Sequence, residues 1–351
     1  MNNMKKVLIS LAAVAALAAC NKAEVVDLAP QTPITFANAF VDNATKTAVD
    51  NSYGSGAALT QFNVWGTVTG SNNSAVNIYN GSSVTGTVGE NVWNCSNVQY
   101  WIVGAKYDFM AIAGVANESG VAQGVTVDSA TDMPTMITYD ATTQKDVLFV
   151  KNATYTAQAN NSPVNFVFNH ILSKVKFTVN NTTPTGSGVS VNTDYVYVVK
   201  DMKILNAPKT AEFTVANYVD DSSVTNPWDV KTSGAVVGFG HATTTYADND
   251  FAYIAPGVTG VESHYERLVI PATYGSANKL KVSFTVELYK KFSDTYKLIN
   301  SDPYNKDVEV TFAPGYAYNF VINVGLNQPI EFKVTTNPGW TTPETPDVDV
   351  L

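Results

Sequence analysis

Past residue 20 the chain carries almost no helical periodicity; short runs of alternating apolar and polar residues recur instead, each broken by Gly, Asn, Ser, Thr or Pro. Alternation at a period of two puts one face of an extended chain against a core and the other in water, so this pattern predicts an all-β fold. The clearest strands are predicted at Lys174 to Val179, Tyr195 to Leu205, Val282 to Leu288, Tyr316 to Val324 and Ile330 to Thr335. In the fourth, Tyr316, Tyr318, Phe320, Ile322 and Val324 share one face, and Ala317, Asn319 and Asn323 share the other. That is the pattern of sheets packed in two layers with one wet side each, and it predicts Tyr316, Phe320, Ile322, Phe332 and Trp340 in one core. No unit of roughly 20 to 50 residues repeats, which argues against a propeller or solenoid.

At 351 residues the chain exceeds the usual size of a single core. Gln158 to Pro163 is polar and ends in proline between two strand-rich halves, so a domain boundary is expected near residue 162, giving parts 20–162 and 163–351. Asn180 to Asp194 reads as a long hairpin loop between paired strands.

Lys5 and Lys6 precede an apolar run, Val7 to Ala19, of secretory-signal length and short of the ~20 apolar residues of a bilayer span. The run ends in Leu17-Ala18-Ala19-Cys20, which resembles the lipobox of bacterial lipoproteins, where the cysteine is acylated and becomes the first residue of the mature chain. An ordinary signal peptide that contains a cysteine is the alternative. On the lipobox reading residues 1–19 are removed, and only acyl chains on Cys20 hold the exported body to a membrane, several chains anchoring it stably where one does not. Cys95 is then alone, so no disulfide framework and no cysteine-ligated metal site can be built, and it reads as a small buried hydrophobe.

The formal charge is -9, and loss of Lys5 and Lys6 leaves 19 cations against 30 acids, or -11. A single arginine, Arg267, and scattered lysines form no basic face, so nucleic acid is excluded as a partner class. The three histidines, His170, His241 and His264, lack metal-binding spacing. His170 shares a strand face with Val164, Phe166 and Phe168 and reads as a hydrogen-bonded, half-buried residue without catalytic work. Asp220-Asp221 and Asp248-Asn249-Asp250 lack the Gly and distal Glu of a calcium cage. There is no serine-hydrolase elbow or phosphate-cradling loop, and no carboxylate pair singles itself out for glycoside cleavage. The chain is therefore expected to have no catalytic residue, no metal and no cofactor. Tyr246, Tyr253 and Trp228 lie in loop-like settings and are the candidates for an exposed aromatic platform.

Two terminal segments remain. Ile34 to Val41 alternates Ile34, Phe36 and Phe40 with Thr35, Ala37, Ala39 and Val41, a strand pattern, and runs into Asp42 to Ser52, a polar tether whose only cation is Lys46. At the other end the tail 341–351 begins with the spacer TTPETP and closes on Asp347-Val348-Asp349-Val350-Leu351, whose alternation suits a short donor strand through Val348 and Val350 or a frayed acidic tail.

Several pieces recur in one order: the lipobox LAAC, Ile34-Thr35-Phe36, Tyr100-Trp101 followed by Lys106 to Ile112, Asp146-Val147-Leu148, and FVFNHILSKV from Phe166 to Val175. Gly315-Tyr316 with Phe320 and Ile322 comes next, then Ile330-Glu331-Phe332 and Gly339-Trp340. In this order the chain resembles, over nearly its whole length, the fimbrillin family of pilus subunits and related lipoproteins of Bacteroides-type bacteria. The resemblance implies two transthyretin-like β-sandwich domains in tandem and polymerisation by strand exchange, after a trypsin-like protease trims a precursor anchored in the outer membrane through Cys20. It makes Ile34 to Val41 the removable first strand and Lys46 the cut site, with other copies or related subunits as partners in a surface fimbria that serves cell adhesion. Many relatives have arginine at the cut; this tether has only lysine, which a strictly arginine-specific protease leaves intact. An uncut chain is expected to be instead an anchor subunit or a non-polymerising surface lipoprotein that binds glycan or host protein.

Overall fold

The computed structural model describes residues 32–41, 59–70, 74–86, 93–114, 124–158, 163–186, 193–218, 226–243, 251–338 and 347–349. Strands make up most of them, with two single-turn 3-10 segments, Ala141–Thr143 and Val215–Asn217. The first nine strands are β1 Phe36–Val41, β2 Gln61–Thr69, β3 Ala75–Thr85, β4 Asn94–Cys95, β5 Lys106–Ala113, β6 Val125–Val127, β7 Pro134–Asp140, β8 Leu148–Thr156 and β9 Val164–His170. After them come β10 Ser173–Asn181, β11 Tyr195–Thr214, β12 Trp228–Gly240, β13 Ala242–Thr243, β14 Val261–Ser263, β15 Arg267–Val269 and β16 Thr273–Tyr274. The last six are β17 Leu280–Phe292, β18 Thr295–Val308, β19 Val310–Thr311, β20 Tyr316–Val324, β21 Glu331–Pro338 and β22 Asp347–Asp349. The all-β expectation holds, and all five predicted strands are present, β20 with the predicted ends.

The first sheet has seven strands in the order β1-β9-β8-β5-β2-β3-β4. One side of it holds an aromatic core that includes Phe36, Phe62, Tyr79, Phe109, Phe166 and Phe168. At β2, β5 and β8 the other side is buried too, because alternate residues of these strands serve a separate core: Phe109 and Ala111 face the first, and Met110 and Ile112 face the other. Leu148 and Val150 of β8 part from Phe149 in the same way. A strand between two cores needs apolar residues at both parities, which is why Phe62 to Val68 of β2 is buried without a break.

A second sheet runs β13-β14-β10-β20-β21-β22, with β15 also on β10, and a third runs β18-β17-β11-β7-β6, with β12 along the other edge of β11. They share a core of Phe177, Val199, Phe239, Phe284, Phe320 and Phe332 among others, two layers closed by apolar faces of period two. Phe320, Ile322 and Phe332 lie in it as predicted, Tyr316 packs half-buried at its rim, and Trp340 lies outside the described residues. Asn180 to Asp194, read from sequence as a hairpin loop, instead joins two sheets, since β10 pairs with β14, β15 and β20 while β11 pairs with β7, β12 and β17. The strands flanking Gln158 to Pro163, β8 and β9, pair in the first sheet, and β6 and β7 join the third sheet through β11.

One structural device occurs twice. The Tyr107 hydroxyl accepts from the Ile102 N–H at 2.7 Å and donates to the Tyr100 carbonyl at 3.3 Å. The Tyr318 hydroxyl accepts from the Ala313 N–H at 2.8 Å and donates to the Thr311 carbonyl at 2.7 Å, so the partners lie five and seven residues upstream in both places. Trp101 packs edge-on against Tyr107 and Phe312 edge-on against Tyr318, at 4.6 and 4.8 Å between ring centres. Gly104 and Gly315 take the left-handed turn between them, at φ of 83° and 74°. The shared sequence is Trp or Phe, two residues, Gly, two residues, Tyr, one residue, Phe.

Candidate functional site

The strongest candidate is the slot occupied by the first strand. β1 lies parallel to β9, with Phe36 opposite Val164, Ala37 opposite Asn165, Phe40 opposite Val167 and Val41 opposite Phe168, and a register shift between Ala37 and Phe40. On its other edge it meets the far end of the same sheet. The Trp93 N–H donates to the Phe36 carbonyl at 2.9 Å, the Ile34 N–H donates to the Gln99 carbonyl at 2.7 Å, and Phe36–Trp93 and Pro33–Tyr100 form isolated bridges. Trp93 directly precedes β4, the last strand of the sheet, so β1 joins the sheet's two ends. Closure of this kind removes the open edges on which other chains pair.

The alternation of Ile34 and Phe36 explains why this segment can fill the slot. Both side chains are buried, Phe36 to 1% exposure. The Phe36 ring stacks on Phe166 at 5.7 Å and meets Tyr79 at 5.7 Å, Phe62 at 6.3 Å and Phe109 at 6.3 Å, mostly edge to face. Burying two side chains of this kind contributes roughly 3 to 6 kcal/mol. The surroundings of the Phe40 side chain lie outside the described residues, as do Cys20, Lys46 and Val350. β22 pairs antiparallel with β21, Val348 opposite Val334, so the C-terminal segment lies on the edge of the second sheet of its own chain. The wall of the slot, Phe62, Tyr79, Trp93, Phe109 and Phe166, is not legible as a site in the sequence; its only signal is an excess of aromatics on strand-like runs.

Among the remaining sequence candidates, His170 and Trp228 take structural roles. His170 is more deeply buried than expected, and its Nδ1 lies 2.6 Å from Asp146 Oδ2, a pair that ties the end of β9 to the segment before β8. Trp228, taken from sequence as loop-like, begins β12 and is buried, its indole N–H donating to the Ile171 carbonyl at 2.7 Å. Tyr253 is exposed and stacks on Tyr296 at 4.4 Å, and Tyr246 lies outside the described residues. Cys95 is half-buried rather than buried, and burial pushes its thiol pKa up. Asp220, Asp221, Asp248 and Asp250 lie outside the described residues, among which no group of three or more His, Cys, Asp or Glu gathers. No helix among the described residues is long and apolar enough to cross a membrane.

The family described as "Fimbrillin-like" matches this chain over residues 45–340. Among solved structures, a "putative cell adhesion protein" from Bacteroides uniformis is 14% identical, covering 89% of this chain and 99% of that one at a TM-score of 0.46. A protein with the same description from Bacteroides ovatus is 13% identical, covering 90% and 99% at a TM-score of 0.48. A fimbrial assembly protein from Parabacteroides distasonis is 12% identical, covering 87% and 95% at a TM-score of 0.41. No curated protein matches the chain.

Proposed function

The chain belongs to the fimbrillin-like family, and from that premise we propose that it is a structural, non-enzymatic subunit of a surface fimbria that serves cell adhesion. It is exported as a lipoprotein acylated on Cys20, carried to the outer membrane, cut at Lys46 by a trypsin-like protease, and assembled with copies of itself or related subunits by strand exchange. The observation that carries this reading is that, among the described residues, β1 alone closes the first sheet. When β1 leaves, β9 and the segment from Trp93 to Tyr100 become edges at once, and the aromatic wall around Phe36 meets water. An apolar groove with two unpaired edges is what an incoming strand completes. The family match begins at residue 45, beside Lys46, and leaves β1 outside it.

We assign the two parts read from sequence, 20–162 and 163–351, to the cores around Phe36 and Phe320, with a third core built from both halves and with β9, β6 and β7 as strands that cross between them. Transthyretin-like sandwiches in tandem are the architecture we assign to them. Val348 and Val350 are assigned as donor positions: β22 is an edge strand that its own chain holds over three residues, a shorter span than the groove offers.

The test is cleavage. Lys46→Gln is expected to give a folded, lipid-anchored monomer in cells, and limited trypsin treatment of the wild type is expected to start polymerisation. Fibres from Lys46→Gln cells whose subunits retain Ile34 would refute strand release, and intact Lys46 in mature wild-type protein would favour the non-polymerising lipoprotein that binds glycan or host protein.

A further inference from the structure

Val98, Tyr100, Ile102 and Val103 stand exposed at 56, 46, 59 and 67%, four large apolar side chains within six consecutive residues. Residues 96–105 carry no charge, in a chain whose formal charge is -9. The ridge is not a loose loop. The Tyr107 hydroxyl bonds the backbone of Tyr100 and Ile102, the Ala105 N–H donates to the Ile102 carbonyl at 3.0 Å, and the Gly104 N–H donates to the Ala157 carbonyl at 2.9 Å.

The second corner supplies an internal control. Around Tyr318 the same hydroxyl bonds and the same left-handed glycine recur, and the Tyr316 N–H donates to the Ala313 carbonyl as Ala105 does to Ile102. Yet the four matching positions hold Glu309, Thr311, Ala313 and Pro314. The corner therefore forms without exposed apolar residues, and the ridge at the first corner answers to something outside the fold.

Its position indicates what that is. Pro33 bridges to Tyr100 and the Ile34 N–H bonds Gln99, so the ridge adjoins the entry of β1. Cys20 lies 13 residues before Pro33, and a chain of that length reaches at most about 43 to 47 Å. We propose that Val98, Tyr100, Ile102 and Val103 form a membrane-contact surface of the lipid-anchored precursor, seated at the boundary of headgroups and acyl chains in the leaflet that holds the lipid on Cys20. This rests on acylation of Cys20. An uncharged apolar ridge with a tyrosine suits that interface, and tethering makes the contact intramolecular, so modest insertion suffices. The acidic body is repelled by anionic headgroups, and the ridge is a face without that penalty. Docking holds the entry of β1 at the bilayer until the strand is cut away.

The test uses the full uncut precursor, purified from cells as the Lys46→Gln variant, with intact mass showing whether Cys20 carries acyl chains. In a Cys95→Ser background, Val103→Cys and, at the second corner, Thr311→Cys are labelled with an environment-sensitive fluorophore. Each is reconstituted in phosphatidylethanolamine–phosphatidylglycerol vesicles containing a nitroxide lipid. The expected result is quenching of several-fold at residue 103 and none at residue 311. Acylated protein whose residue 103 is as unquenched as residue 311 overturns the docking and leaves the anchor standing. A mass without acyl chains overturns the anchor and the docking with it. Shielding at residue 103 that grows with protein concentration and not with lipid makes the ridge a contact between copies, and overturns the lipid assignment.

Discussion

Phe36→Ala tests whether β1 is a stave of the first core or a strand resting on its surface. The ring is 1% exposed and touches four other aromatic rings, with β9 on one side and the Trp93 segment on the other. Truncating a buried Phe costs about 3 to 5 kcal/mol, and more where the site cannot collapse. Here the wall is built of strands fixed by their own ladders, so the upper part of that range is expected. At about 2.1 cal/mol/K per residue, a cooperative unit of about 300 residues loses roughly 1.6 °C of Tm per kcal/mol, or about 6 to 8 °C for the upper part of that range. The shift is larger if the first core melts by itself, because the same loss is spread over less unfolding entropy. Calorimetry on the uncut chain reads it, with half-buried Thr35→Ala as the control, expected within about 1 °C since such sites usually cost about 0.5 kcal/mol or less. A Tm for Phe36→Ala as close to wild type as the control's would show that the core does not depend on β1, and strand removal would then create no groove worth filling.

Tyr107→Phe and Tyr318→Phe should each destabilise by about 1 to 3 kcal/mol, since each leaves a backbone N–H, of Ile102 or Ala313, without its acceptor; equal melting of wild type and variants would deny the corners a structural role. Burial pushes the Tyr318 hydroxyl up to about 12, so its contribution is whole below the ordinary tyrosine pKa of about 10 and is lost as pH rises toward 12. Tyr318→Phe should flatten that alkaline limb in urea midpoints measured against pH. For Glu287, burial raises the carboxyl pKa, but bonds from Lys200 at 2.6 Å, Tyr289 at 3.0 Å and Ser301 at 3.2 Å outweigh it and hold it below the ordinary value. Its stabilisation is present above about pH 4.3 and lost as pH falls through the depressed value, so an acid limb unchanged in Glu287→Gln would contradict the assignment. Cys20→Ala should abolish labelling by a fatty-acid analogue, and labelling that persists would place the lipid elsewhere. Deleting 347–351 should block fibre growth while leaving the monomer folded, and fibres of normal length from the deleted chain would place the donor strand elsewhere.

The sequence by itself determined the fold class, the positions of the most regular strands and which of their residues point inward. Tyr316 to Val324 and Val164 to His170 show why: a pleated strand turns successive side chains to opposite faces, so burial is written locally at a period of two. The same period placed Phe36 in a core before any partner was known. What it does not encode is which strands pair, because that choice is made between residues far apart in the chain and depends on hydrogen bonds every extended segment can offer. So Asn180 to Asp194 looked like a hairpin loop while its flanking strands belong to different sheets, and nothing local in Ile34 to Val41 reveals that this strand joins the two ends of the first sheet. The unbroken burial of β2 needed a second core on the far side, which tertiary packing supplies through β7, the C-terminal half of β11, Trp228 and Leu268. The paired tyrosine corners lie between the two cases: their residues stand in the sequence at fixed offsets, but a hydroxyl reaching back five and seven residues acquires meaning only once the chain has turned the corner that the hydroxyl holds.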